Sequence, residues 1–165
     1  MKKPTKPREP ALERVKTQTE VLLPVLKALR AELGNHKAEQ LVFSALRESS
    51  REHFRRAAER RPGSGREKWR DLTDALDVVI GDTVERVSLR DDESAFDYDV
   101  TSCRFANFFH ALGEPALGEV LTCEADNHVV EAGDGDVELN RAQTIMRGAS
   151  HCQFRYRFNR TGKTS

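Results

Sequence analysis

No apolar run in this 165-residue chain is long enough to cross a membrane. The longest, Val21-Leu22-Leu23-Pro24-Val25-Leu26, falls far short of the roughly 20 residues a bilayer requires. Cysteine is scarce: Cys103, Cys123 and Cys152 are an odd number with no C-x-x-C pair, which argues against a disulfide scaffold. The absence of short-spaced ligand pairs also argues against structural zinc. Reduced thiols in a cytoplasmic protein fit better. Nucleotide and metalloprotease signatures are missing too, with no P-loop, no G-x-G-x-x-G and no H-E-x-x-H, so neither a cofactor nor a metal is expected. The first ten residues are basic and hold Pro4, Pro7 and Pro10 without an apolar segment after them, so residues 1–10 read as a disordered tail and not as a secretory signal.

Net charge is absent as well, because 27 basic residues balance 27 acidic ones. The balance hides an asymmetry: residues 1–70 carry 18 basic and 9 acidic side chains, and residues 71–165 carry the other 9 and 18. The basic half does not read as a nucleic-acid surface. Arg51, Arg55, Arg56, Arg60 and Arg61 alternate with Glu48, Glu52 and Glu59 at ion-pairing distance along a helix, and no aromatic residues interleave to stack on bases. A solvated face, or a contact with the acidic half, is expected.

Apolar residues recur at three- and four-residue intervals from Ala11 to about Leu33, predicting a helix that Gly34 stops and Pro24 kinks. A second helix runs from about Lys37 to Arg61 and ends at Pro62-Gly63-Ser64-Gly65. A third, about Arg66 to Ile80, puts Trp69, Leu72, Leu76 and Val79 on one face. The period then changes to two. Val84 to Leu89 and the alternation of Phe96, Tyr98 and Val100 predict a hairpin across the turn Arg90 to Ser94. Helical spacing returns from Cys103 to Gly113, and Pro115 opens another helix that leads to Cys123 and Asp126. Gly133-Asp134-Gly135 is a turn. Val137 to Met146 and Cys152 to Phe158 then predict a second hairpin, closed by Arg147-Gly148-Ala149-Ser150. The expected fold is one α+β domain over residues 11–158, with N-terminal helices packed on an antiparallel sheet of about four strands, two hairpins separated by two helices. Residues 159–165 read as a C-terminal tail.

Several residues could carry chemistry. Cys123 and Asp126 stand three apart, on one face if helical, so a thiol and a carboxylate could act together. Cys152 shares a strand face with Phe154, Tyr156 and Phe158, a packing position whose apolar setting raises a thiol pKa. Cys103 precedes the core-like Phe105, Phe108 and Phe109. Cys123 is therefore the expected nucleophile, with Cys103 second because a helix N-terminus can favour a thiolate. His151 has a titration range suited to acid/base work. Arg141 lies among apolar neighbours and needs an anionic partner, either Asp126 or Glu131, or a substrate carboxylate held bidentately.

Four segments together carry a resemblance: Cys103-Arg104-Phe105-Ala106 through His110-Ala111-Leu112-Gly113, Leu121-Thr122-Cys123-Glu124-Ala125-Asp126, Leu139-Asn140-Arg141-Ala142-Gln143-Thr144, and Gly148 through His151-Cys152-Gln153-Phe154-Arg155-Tyr156. In order and spacing they resemble the L-2-amino-thiazoline-4-carboxylic acid hydrolase family, most specifically over residues 96–156. Gln153 stands where the family usually has Asp, and Thr122 where a second Cys often stands. The resemblance implies hydrolytic opening of a small carboxylated heterocycle, with Cys123, Asp126, His151 and Cys103 catalytic and Arg141, Thr144, Glu131 and Cys152 binding substrate. The implied partner is that small molecule, with neither nucleic acid nor membrane, and a homo-oligomer stays open. The closing Gly…Cys-x-Phe element is also similar to the 4-vinyl reductase-type ligand-binding domain, a non-catalytic alternative.

Overall fold

A computed structural model describes residues 10–159. The two expected tails lie outside these residues, apart from Pro10 and Asn159. Helix α1 (Ala11–Leu33) runs through Pro24 without ending there, and Gly34, at φ +81°, turns the chain into α2 (Asn35–Glu59). Ser64 and Glu67 cap α3 (Gly65–Ile80) reciprocally: the Glu67 amide donates to the Ser64 hydroxyl, and the Ser64 amide donates to the Glu67 carboxylate at 2.6 Å.

Strands β1 (Val84–Asp91) and β2 (Ala95–Cys103) form the expected hairpin. After α4 (Arg104–Leu112), the single predicted helix from Pro115 is broken into a short turn α5 (Pro115–Gly118), a π-helical turn at Glu119–Cys123, and α6 (Ala125–Glu131). Strands β3 (Val137–Asn140) and β4 (Cys152–Phe158) complete a four-stranded sheet of order β1-β2-β4-β3, every neighbouring pair antiparallel. The fold is α+β.

The expected strand from Val137 to Met146 is corrected to its first four residues. Ile145–Arg147 form a 3₁₀ turn capped by Thr144, whose hydroxyl accepts from the Arg147 amide at 3.2 Å, and Met146 is drawn into the helical core. The connection to β4 is therefore residues 141–151 and not a four-residue turn. A side-chain cap and a buried methionine outweigh strand propensity there.

Two apolar clusters result. One joins α1, α2, α4, α5, the π turn and the 3₁₀ turn around Leu26, Phe109, Leu117 and Met146. The other sets Trp69 and Leu72 of α3 and Val129 of α6 against Tyr98, Phe154, Tyr156 and Phe158 of the sheet. Val84, Cys103 and Ile145 pack against both. On the opposite face of the sheet Asp99 pairs with Arg155 at 2.7 Å and Asp97 with Arg157. The basic α2 pairs within itself, Glu52 with Arg55 and Arg56, and reaches the acidic half through Arg47–Glu124 and Arg51–Glu131.

Candidate active site

Strand register builds the floor. Val84 pairs with Cys103, and the next inward row crosses the sheet as Arg86, Val100 and Cys152, followed by Tyr98 opposite Phe154. Cys103 ends β2 and caps α4, its sulfur accepting from the Ala106 amide at 3.4 Å. The Cys152 sulfur accepts from the Ile145 amide at 3.2 Å. Cys123 ends the π turn, where the Glu124 amide reaches back five residues to the Glu119 carbonyl and the Thr122 hydroxyl donates to the Gly118 carbonyl at 2.7 Å. Cys103 packs against both apolar clusters, Cys123 against the helical one, and Cys152 belongs to the sheet cluster. Three chain segments thus bring three thiols to the seam between the clusters.

Arg141 enters this seam just after β3. Its Nη1 donates to the Cys123 carbonyl at 2.8 Å and to Asp126 Oδ2 at 2.7 Å, which answers which anion it needs. Asp126 is surrounded by protein yet keeps 27% of its side chain accessible, whereas Arg141 keeps 10%. Loss of hydration pushes the Asp126 carboxyl up to about 6, against the pull of the Arg141 and Arg86 charges. Burial pushes the Cys123 thiol up to about 12, and it raises Cys103 and Cys152 as well. All three thiols are therefore neutral at pH 7. A surface concavity of about 600 Å³, walled by Glu138, Leu139, Asn140, Arg155 and Arg157, includes Arg141.

Arg86 and Asp77 were not among the expected site residues. Arg86 donates from both terminal nitrogens to Asp77 of α3, one bond measuring 3.0 Å, and its guanidinium lies 5.0 Å from the Tyr98 ring centre. Tyr98 stacks on Phe154 at 4.7 Å, and Arg141 lies 5.3 Å from the Phe154 ring. The order guanidinium, ring, ring, guanidinium follows the order of the strands. The signal in sequence is Arg86 alternating inward with Val84, a charge on the buried face of a strand that requires a partner.

The remaining expected residues make other contacts. Thr144 is buried as the cap of the 3₁₀ turn. Glu131 pairs with Arg51 and lies 3.7 Å from His128. His151 bonds to Ser150 and Gln143 and lies 3.9 Å from Asp99, and it makes no hydrogen bond or ion pair with Cys123 or Asp126. Arg141 joins Asp126 and Cys123 by hydrogen bonds beside Cys103 and Cys152, whereas Thr144, Glu131 and His151 make their hydrogen bonds and ion pairs with other groups. Among the described residues no three His, Cys, Asp or Glu side chains are placed to hold a metal ion, and no helix is long and apolar enough to cross a membrane.

Among solved structures, the fold is shared with the phenol-responsive sensory domain of the transcription activator PoxR, solved with phenol: TM-score 0.50, 15% identity, over 85% of this chain and 74% of that one. Among curated proteins none matches. The family model described as L-2-amino-thiazoline-4-carboxylic acid hydrolase matches residues 14–156, a span that takes in most of both apolar clusters, all four strands up to Tyr156, and every thiol, carboxylate and guanidinium of the seam. The chain belongs to the L-2-amino-thiazoline-4-carboxylic acid hydrolase family.

Proposed function

We propose that the protein is a hydrolase that opens a small carboxylated heterocycle of the 2-amino-thiazoline-4-carboxylate type, with Asp126 as its acid/base group. The observation that carries this reading is a carboxylate that is accessible, oriented by Arg141, and raised to about 6, close to the pH at which it must both take and return a proton. In the reaction, Asp126 accepts a proton from a water whose oxygen adds to C2 of the ring. The C2–S bond then breaks. The water oxygen becomes the carbamoyl oxygen, one water proton ends on the ring nitrogen and the other on sulfur, and the product is an N-carbamoyl-cysteine. Before it takes that proton, the Asp126 carboxylate stabilises positive charge on the amidine nitrogens of the bound ring.

Within this reading Arg141 orients Asp126 and keeps it anionic. Cys123, Cys103 and Cys152 enclose the ring as neutral, apolar walls, because a thiol raised as far as that of Cys123 is a poor source of thiolate. A covalent route through a Cys123 thiolate is the alternative chemistry, and it has a distinct pH profile. All three cysteines are free, which fits the reducing cytoplasm as the working compartment.

A second reading, small-molecule binding without chemistry, is favoured by the same neutral thiols and by the sensory domain that shares the fold. The deciding experiment incubates purified protein with 2-amino-thiazoline-4-carboxylate and monitors new thiol together with N-carbamoyl-cysteine by mass spectrometry. Product above the protein-free control is expected; binding without product selects the sensor.

A further inference from the structure

We propose that Arg86, held by Asp77, is the anchor for the ligand's carboxylate, so that a ligand with one cationic and one anionic end lies along the Tyr98–Phe154 pair with its amidine towards Asp126 and its carboxylate towards Arg86. The inference deepens the hydrolase reading and rests on it.

Four observations support it. Arg86 points inward from edge strand β1, in the same cross-strand row as Cys152, so it borders the seam where the thiols and Asp126 meet. Its side chain is 25% accessible, more open than that of Arg141, and Asp77 engages only its two terminal nitrogens. Asp77 fixes the guanidinium from α3 while Tyr98 lies against it, so the group is presented in one orientation. Finally, the seam holds two guanidinium groups and two carboxylates, Arg86 with Asp77 and Arg141 with Asp126, which suits a ligand whose own two charges cancel.

Arg141 is the other arginine that could hold the carboxylate. It is the poorer choice because its Nη1 already holds Asp126. A ligand carboxylate on the same guanidinium would set two like charges side by side and raise Asp126 further, suppressing the base the reaction needs. On Arg86 the like charge that the ligand meets is Asp77, which takes no part in the proton transfer, so Asp126 is left free to act as the base.

The test crosses a residue with a ligand group. Wild type, Arg86→Gln, Arg86→Lys and Asp77→Asn are assayed on 2-amino-thiazoline-4-carboxylate and on 2-aminothiazoline, which lacks the carboxylate. Assayed at about pH 8.5, where Asp126 stays ionised without the Arg86 charge, Arg86→Gln is expected to lower kcat/KM for the carboxylated ring by about 10- to 100-fold more than for the bare ring, mainly through KM, the range expected for one charged hydrogen-bonding group. Arg86→Lys should recover part of the loss, and Asp77→Asn should show a smaller loss of the same selectivity. Equal losses on both rings, or none on either, would overturn the assignment. Calorimetric titration with the two compounds provides a readout that does not need turnover. If wild type binds both without product, the hydrolase reading fails while the carboxylate preference and its loss in Arg86→Gln still support the anchor; if wild type binds the two equally, the anchor is wrong.

Discussion

Arg141 holds Asp126 and the main chain of Cys123 through one nitrogen, at 2.7 and 2.8 Å. The two residues of the Cys-x-x-Asp segment are therefore oriented by a side chain that arrives from beyond β3, and not by a shared helical face, since a π turn ends at Cys123 and α6 begins at Ala125. π turns recur at functional sites because the extra residue rotates the next side chains out of the helical register.

If Asp126 is the base, kcat/KM falls tenfold per pH unit below an apparent pKa of about 6 and is level above it. A thiolate route through Cys123, raised to about 12, gives a rate that still climbs above pH 8. Pre-steady-state or initial-rate profiles from pH 5 to 9 separate the two. Asp126→Asn should lose about 10²- to 10⁴-fold in kcat, while Cys123→Ser keeps measurable turnover. Complete inactivity of a folded Cys123→Ser protein would restore the thiolate.

The raised carboxyl also has a stability signature. Between about 3.8 and about 6 the unfolded chain has released the Asp126 proton and the folded chain still holds it, so this group's contribution to stability declines as pH rises through that window and is constant outside it. Urea unfolding of wild type and Asp126→Asn at half-unit steps should show a difference with that slope. A difference that does not vary with pH would mean that Asp126 is not raised.

Arg141→Gln removes the charge that opposes the loss of hydration at Asp126, so the acid limb of the rate profile should move to higher pH. It also weakens the bond to the Cys123 carbonyl, for an expected cost of about 1–3 kcal/mol in chemical denaturation. An unmoved acid limb would assign the limb to another group.

Gly118 precedes the π turn with ordinary helical backbone angles, φ −60° and ψ −40°, where Gly→Ala is usually favourable. Here an added Cβ would stand 2.5 Å from the Phe109 ring and 2.8 Å from the Met146 methyl. Gly118→Ala is expected to destabilise by about 1–3 kcal/mol, and a gain in stability would show that this part of the core can relax.

Cys152→Ser places a hydroxyl where a buried sulfur now meets the Ile145 amide, within the sheet cluster. It should lower the denaturation midpoint more than Cys103→Ser or Cys123→Ser, at residues that are only partly buried. Equal midpoints for all three variants would mean that Cys152 sits in no more apolar a setting than the other two.

The amino-acid sequence by itself determined what depends on near neighbours. The three N-terminal helices, the Val84–Cys103 hairpin and the inward face of Cys152, Phe154, Tyr156 and Phe158 arise from 3.6- and 2-residue periodicity, from Gly and Pro at the boundaries and from alternation along a strand. The family resemblance, carried by short segments around Cys103, Cys123, Arg141 and Cys152, was legible for the same reason. Only the tertiary structure decided where β3 stops, because Arg141 is held by Asp126 and Met146 by the helical core. It also selected Asp126 from among the possible partners of Arg141, added Arg86 and Asp77 to the site, and left His151 beside Asp99. The titration of the site belongs to the same class. A thiol or carboxyl responds first to the hydration it loses on burial and then to the charges around it, which at Cys123 include Arg141 and Cys103 and at Asp126 include Arg141 and Arg86, residues distant in the chain that only folding brings near.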